Sequence, residues 1–538
     1  MRAARPWAAW WRVALLVAAA AVAGGCDGPR RPAAPEPLAG RASMTTAARA
    51  MGGKLLDGAV ATLGRLDDFD EARAVEQAFD RLNQWSRAAP SGAAWQADPL
   101  AKAIPDRLRS AAPALDRSAF DAAGDVTLLR DRIWLSAIAR TARGDAGDDV
   151  AVATRLFEWT VRSLALVSDP PMVPSAATPG TRWFLPGEIL LSGRASAAQR
   201  AWIFLLLAHQ CGIDGAMLAT GDAAVGSLRP WVPVIVSEGD AYLFEPTYGM
   251  PVPGPGGTGV ATVREAAKDP SVLAALSLPD RPYPLGAADM KGLTVLVAAD
   301  PWDLSCRMAA LDGDLAGRHG VRVAVAASRT AAKTAAALPA GTESAAGIWE
   351  FPWETIARRG DVAAVLKKEL APLEVAFVEP GPAGRPARTL RPLFAARVRE
   401  FRGDFEGPEG AKAAYLAARP SRATLAEAVQ RLPPEQAENA SRLYARMKED
   451  ATYWLGVLTL GEGEYAAAVD YLARMTLQAA PDSRWTDAAR ANVARAFIGL
   501  GRIDEAVGAL RADGSPQRFG SRILADRLER SAAEAVGR

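Results

Sequence analysis

The sequence predicts an α+β chain rich in helix, and three observations carry that prediction. Apolar residues recur at helical spacing over about 42–145 and again from about 405 onward. Short β-branched runs such as Pro230–Val236 and Leu293–Ala299 fall between those two regions. A helical unit then occurs twice near the C-terminus. With 538 residues, 50% of them hydrophobic, the chain has material for two or three cores.

Residues 1–26 read as an address. Arg2, Arg5 and Arg12 precede an unbroken apolar stretch, Val13 to Ala23, which ends in Ala23-Gly24-Gly25-Cys26. The stretch is shorter than the roughly 20 residues a spanning helix needs. The pattern resembles a bacterial lipoprotein signal, which implies cleavage before Cys26, a lipid on Cys26 and attachment of an exported protein to a bacterial cell membrane. Residues 27–41, with four prolines between Asp27 and Gly40, form a tether. Loss of residues 1–25 removes three arginines and no acids, so the formal charge falls from +2 to −1. A near-neutral chain without a basic block argues against nucleic acid as a partner.

Across 42–147, Leu55, Leu56, Val60 and Leu63, then Val75, Phe79, Leu82 and Trp85, predict helices. Pro90, Pro99, Pro105 and Pro113 predict several short ones. Residues 148–284 open with a helix, Val150 to Leu166, followed by a proline-rich loop. Next come Gly193-Arg194-Ala195-Ser196-Ala197, the apolar helix Ala201–Leu207, and Gly212 as its left-handed terminator. The strand with Trp231 and a second strand ending Phe244-Glu245-Pro246-Thr247 complete the unit.

This order and spacing resembles the transglutaminase-like superfamily, a papain-type fold with a Cys-His-Asp triad. The resemblance places the three triad positions on Ala197, Arg229 and Glu245. Acyl transfer needs a thiolate, an imidazole and an orienting carboxylate. Ala197 has no nucleophilic atom, and Arg229 stays protonated and cannot act as a base. The expectation is a pseudoenzyme that needs no cofactor, with Ser196, Trp231 and Glu245 lining any groove that survives. The chain holds two histidines, His209 and His319, and His209 falls about 18 Å along the helix from Ala197 at 1.5 Å per residue. That scarcity argues against a transition-metal site. Cys211, late in the helix, reads as packing. Cys211 and Cys306 are open to one disulfide or to two free thiols.

Residues 285–400 predict a small α/β subdomain, with strands at Leu293–Ala299, Val321–Val325 and Leu373–Val378 and a helix from Trp302 to Leu315. The Gly/Pro loop Met250–Gly259, before it, reads as a stiff surface loop. Residues 401–538 are helical. Gly463, Tyr465, Ala468 and Tyr471 are followed 38 residues on by Gly501, Ile503 and Ala506. This resembles tetratricopeptide repeats, with Glu435–Lys448 and Ser521–Val536 expected to cap the stack. The expected function is a membrane-tethered, non-catalytic scaffold for a protein or peptide. The alternative is a cell-envelope hydrolase or acyl transferase with a rearranged site built on Ser196 and Glu245.

Overall fold

The computed structural model describes residues 46–66, 71–88, 95–168, 182–221, 228–340, 345–379, 388–430 and 432–536. Cys26 and the tether lie outside the described residues. From Thr46 onward the chain forms one compact α+β unit in which helix dominates.

Its centre is a six-stranded sheet. The spatial order is Met250–Pro251, Asp240–Glu245, Arg229–Ser237, Gly215–Thr220, Thr294–Val297 and Ala346–Ile348. Neighbours run antiparallel except the last pair. Side chains alternate across the sheet with period two. Met217, Ala219, Ile235 and Phe244 face the core built around the helix Ala197–Gln210 (the central helix). Ala216, Leu218, Val234 and Leu243 face a second core that includes Val263, Ala266, Ala327 and Ala331. The strand Thr294–Val297 pairs with Gly215–Thr220, so the region from 285 does not form a separate sheet: it extends the one that precedes it.

Between Ala201 and Ala208 the central helix is apolar all round because it is buried all round. Phe204 meets Phe157 at 5.2 Å and Phe244 at 4.7 Å, and each aromatic pair adds about 0.5–1.5 kcal/mol beyond area burial. The same core takes in Phe157 from the flanking helix Asp149–Ser163 and Tyr453, Trp454 and Trp485 from the C-terminal region. The boundary at 401 therefore cuts through a continuous core.

Several local expectations change. Prolines shorten only the stretch after residue 90; on either side stand helices of 18, 18 and 22 residues, Thr46–Leu63, Glu71–Ala88 and Ala122–Arg143. Val321–Val325 is not a strand. Its backbone is satisfied by side chains instead: Asp312 accepts from Val323 N at 2.7 Å and Ala324 N at 3.0 Å, and Gln210 pairs with both backbone groups of Arg322. The helix expected from Trp302 begins at Cys306, because Asp300 Oδ1 holds Trp302 N and Asp303 N in a turn. Ala371–Glu374 is a 3₁₀ turn, and the strand after it, Phe377–Glu379, forms a hairpin with Arg388–Leu390 outside the main sheet.

The C-terminal region holds two helix pairs, Pro434–Gly461 with Tyr465–Gln478 and Thr486–Gly499 with Ile503–Arg511, followed by Arg518–Val536. Gly463 and Gly501 turn each pair at φ +77° and +71°, values that favour glycine. Ala468 and Ala506 are fully buried. Glu435–Lys448 is no separate cap: it is the first half of a 28-residue helix, since no breaker stands before Ala451.

Candidate functional site

Ala197 opens the central helix and Ser196 caps it. Ser196 Oγ accepts from Gln199 N at 3.3 Å, while the Gln199 side chain returns to Ser196 N at 3.0 Å. Ser196 is buried, and this hydroxyl has a structural occupation. Arg200, one turn further, donates to Leu164 O at 2.6 Å, Pro246 O at 3.1 Å and Gln517 Oε1 at 2.7 Å. The first turn of the central helix is thereby tied to the end of the flanking helix, to the residue after Glu245 and to the turn before the last helix.

Trp231 and Glu245 come together, but on the other face of the sheet. A register shift opposite Met217 and Ala219 leaves Trp231 and Val232 both packed in the second core. Trp231 Nε1 donates to Tyr283 Oη at 2.8 Å, and Tyr283 donates to Glu245 Oε2. Glu245 also accepts from Thr247 N at 2.9 Å. Burial raises the Glu245 carboxyl above its ordinary range against the pull of those hydrogen bonds, and burial with Glu245 beside it holds Tyr283 as a phenol. Phe244, not Glu245, faces the core around the central helix. Glu245 therefore sits with Trp231 and Tyr283 while Ser196 and Ala197 belong to the helix on the opposite face. Arg229 is exposed at the start of its strand. Tyr283, the link between the two residues that do meet, carries no local sequence signal.

Both histidines are engaged elsewhere. His209 lies near the C-terminal end of the central helix, its Nε2 buried without a hydrogen-bond partner, and burial together with Arg132 pushes its pKa down to about 4. His319 Nε2 lies 3.0 Å from Asp57. Cys211 and Cys306 are free thiols, and burial pushes the Cys211 thiol up, away from the reactive thiolate. One cluster of carboxylates among the described residues, Glu406, Glu462 and Glu464, has the spacing for a cation, but Lys412 Nζ already bridges all three.

One cavity lies away from these positions. A cleft of about 720 Å³ runs between the flanking helix, the loop 248–260 and the helices after Thr486. Its walls include Val150, Met250, Val260, Leu510 and Leu524, with Arg155, Arg495 and Arg527 among the charged groups. The Gly/Pro loop is exposed from Pro255 to Gly259 and also lines one side of this cleft. Gly249 has φ +66°, and any Cβ there would press on Gln517. A second cleft of about 540 Å³ shares Arg155 and Glu158 and reaches Arg162 and Tyr465. Arg200 was the signal available in the sequence: a cation directly before seven apolar residues. Arg495 and Arg527, on polar helices, gave none.

Compared with protein-family models, with curated proteins and with solved structures, the chain matches none.

Proposed function

We propose that the protein is an exported, lipid-anchored scaffold that binds a protein or peptide without chemistry, combining a degenerate transglutaminase-like core with tetratricopeptide-like helices. The observation that carries the non-catalytic part of this reading is the state of the three positions that the resemblance assigns to a triad. A methyl group stands at the start of the central helix, an exposed guanidinium at the start of one strand, and a buried carboxyl, locked to Tyr283, faces the opposite core. Neither a nucleophile nor a base is positioned for acyl transfer. The paired helices turned at Gly463 and Gly501 support the repeat reading through their geometry.

Co-purification from detergent-solubilised membranes tests the scaffold reading. Reproducible recovery of one or a few proteins supports it; their consistent absence overturns it. Acyl labelling tests the anchor, with Cys26→Ser expected to abolish incorporation. Any hydrolase turnover left unchanged by Ser196→Ala would end the rearranged-site alternative.

A further inference from the structure

Arg495 lies within electrostatic reach of Arg162 and Arg200 at the seam between the flanking helix and the helices after Thr486, and shares a cleft with Arg527; none of the four forms an ion pair with a carboxylate among the described residues. Arg200 bonds only to carbonyls and an amide oxygen. Arg495 reaches Ala491 O and Asn492 Oδ1 on its own helix. Arg162 keeps a buried Nε without a partner, and Arg527 makes no hydrogen bond or ion pair among the described residues. Burial lowers the pKa of all four, Arg200 to about 9, and the mutual repulsion of Arg495 with Arg162 and with Arg200 adds to it. Glu158 attracts Arg162 and Arg495, and Asp513 attracts Arg200 and Arg495, but neither forms a direct ion pair with them among the described residues. Asp148 caps the flanking helix through Ala151 N, Asp513 is held by Ser515 N and Ser521, and Glu158 is exposed with no ion pair among the described residues.

A buried guanidinium without a carboxylate partner is costly and cannot lose its proton at ordinary pH; Arg200 is fully buried, and Arg162, Arg495 and Arg527 are partly exposed. Two of these arginines, Arg495 and Arg527, line the 720 Å³ cleft, whose wall is mostly apolar by area and also carries Arg155 and the carboxylates of Asp148 and Glu158. That volume is within the range of small-molecule sites. Guanidinium groups on the wall of a cleft that is otherwise mostly apolar by area select a ligand with an anionic head and an apolar body.

We propose that this cleft binds an amphiphilic anion, its carboxylate or phosphate head on Arg495 and Arg527 and its chain along Val150, Met250, Val260, Leu510 and Leu524. The site is independent of the transglutaminase-like reading and of any protein partner.

Calorimetric titration of the full chain in lipid nanodiscs, with empty nanodiscs subtracted, tests it using octanoate, octyl phosphate, neutral octanol and inorganic phosphate. At least one octyl anion should bind 10-fold or more tightly than both octanol and inorganic phosphate, and which one does identifies the head group. Arg527→Gln, at a half-exposed position that should leave folding intact, and Arg495→Lys should each weaken that anion 5-fold or more. Octanol binding as tightly as the anions, inorganic phosphate matching octyl phosphate, or variants with unchanged affinity would each overturn the proposal.

Discussion

Substituting Gly193 by alanine probes the joint between the segment leading into the central helix and the C-terminal helices. Gly193 ends the helix Pro186–Ser192 at φ +64° and ψ +17°, the left-handed region, where a Cβ costs roughly 1–2 kcal/mol. The added methyl would also overlap the ring of Trp454. That ring has little room to yield: it is buried, the Arg397 guanidinium lies 3.6 Å over its face, and Trp485 meets it at 5.1 Å. Overpacking of this kind costs about 1–3 kcal/mol, so Gly193→Ala should destabilise by about 2–5 kcal/mol. Gly239 is the control, with φ +84° and nothing within 4 Å of where a methyl would stand, so Gly239→Ala should cost only the backbone part, about 1–2 kcal/mol. Urea unfolding of both variants measures the difference directly. In a Trp454→Leu background the Gly193→Ala penalty should shrink toward that of Gly239→Ala. Equal destabilisation by the two glycine variants in the wild-type background would refute the claim that Trp454 is wedged against Gly193.

Further outcomes follow from the buried polar groups. His209 has a folded pKa of about 4 against 6.5 when unfolded, so the folded state binds fewer protons between those values and stability falls as pH drops through that window. At about 1.36 kcal/mol per unit the loss approaches about 3 kcal/mol, and His209→Leu should flatten the stability-against-pH curve between pH 6.5 and 4. Burial opposes ionisation of Glu369, but Arg194, Arg182 and Arg484 outweigh it and hold its carboxyl below the usual range. Its stabilising contribution is present above pH 4.5 and is lost as pH falls below it; Glu369→Gln should destabilise by about 2–4 kcal/mol at pH 7, read by thermal unfolding. Tyr283→Phe strands the Trp231 indole and the Glu245 carboxyl together and should cost about 2–3 kcal/mol; a change under about 0.5 kcal/mol by urea unfolding would mean that the chain of hydrogen bonds contributes nothing.

Much of the local structure was legible in the residues alone, because local rules act there. The apolar run after Arg200 became the central helix, Gly212 took φ +79° after it, and Gly463 and Gly501 turned the two C-terminal helix pairs. The two strands read around Trp231 and before Pro246 formed and pair with each other in the main sheet. Errors arose where distant groups replaced local ones. Val321–Val325 has strand composition, yet Asp312 and Gln210 take its backbone bonds. The proline punctuation after residue 90 said nothing about the helices on either side of it.

The chain's covalent pattern by itself settled that no cysteine opens the central helix and that only two imidazoles exist, since both are matters of residue identity. That Trp231 and Glu245 meet was decided by a bulge in the pairing of one strand and by Tyr283, 38 positions beyond Glu245. The seam of arginines without ion pairs exists only because Arg162 and Arg200 come within electrostatic reach of Arg495 from far along the chain. Their proximity is a product of packing, and charge summed along a sequence cannot register which like charges folding forces together.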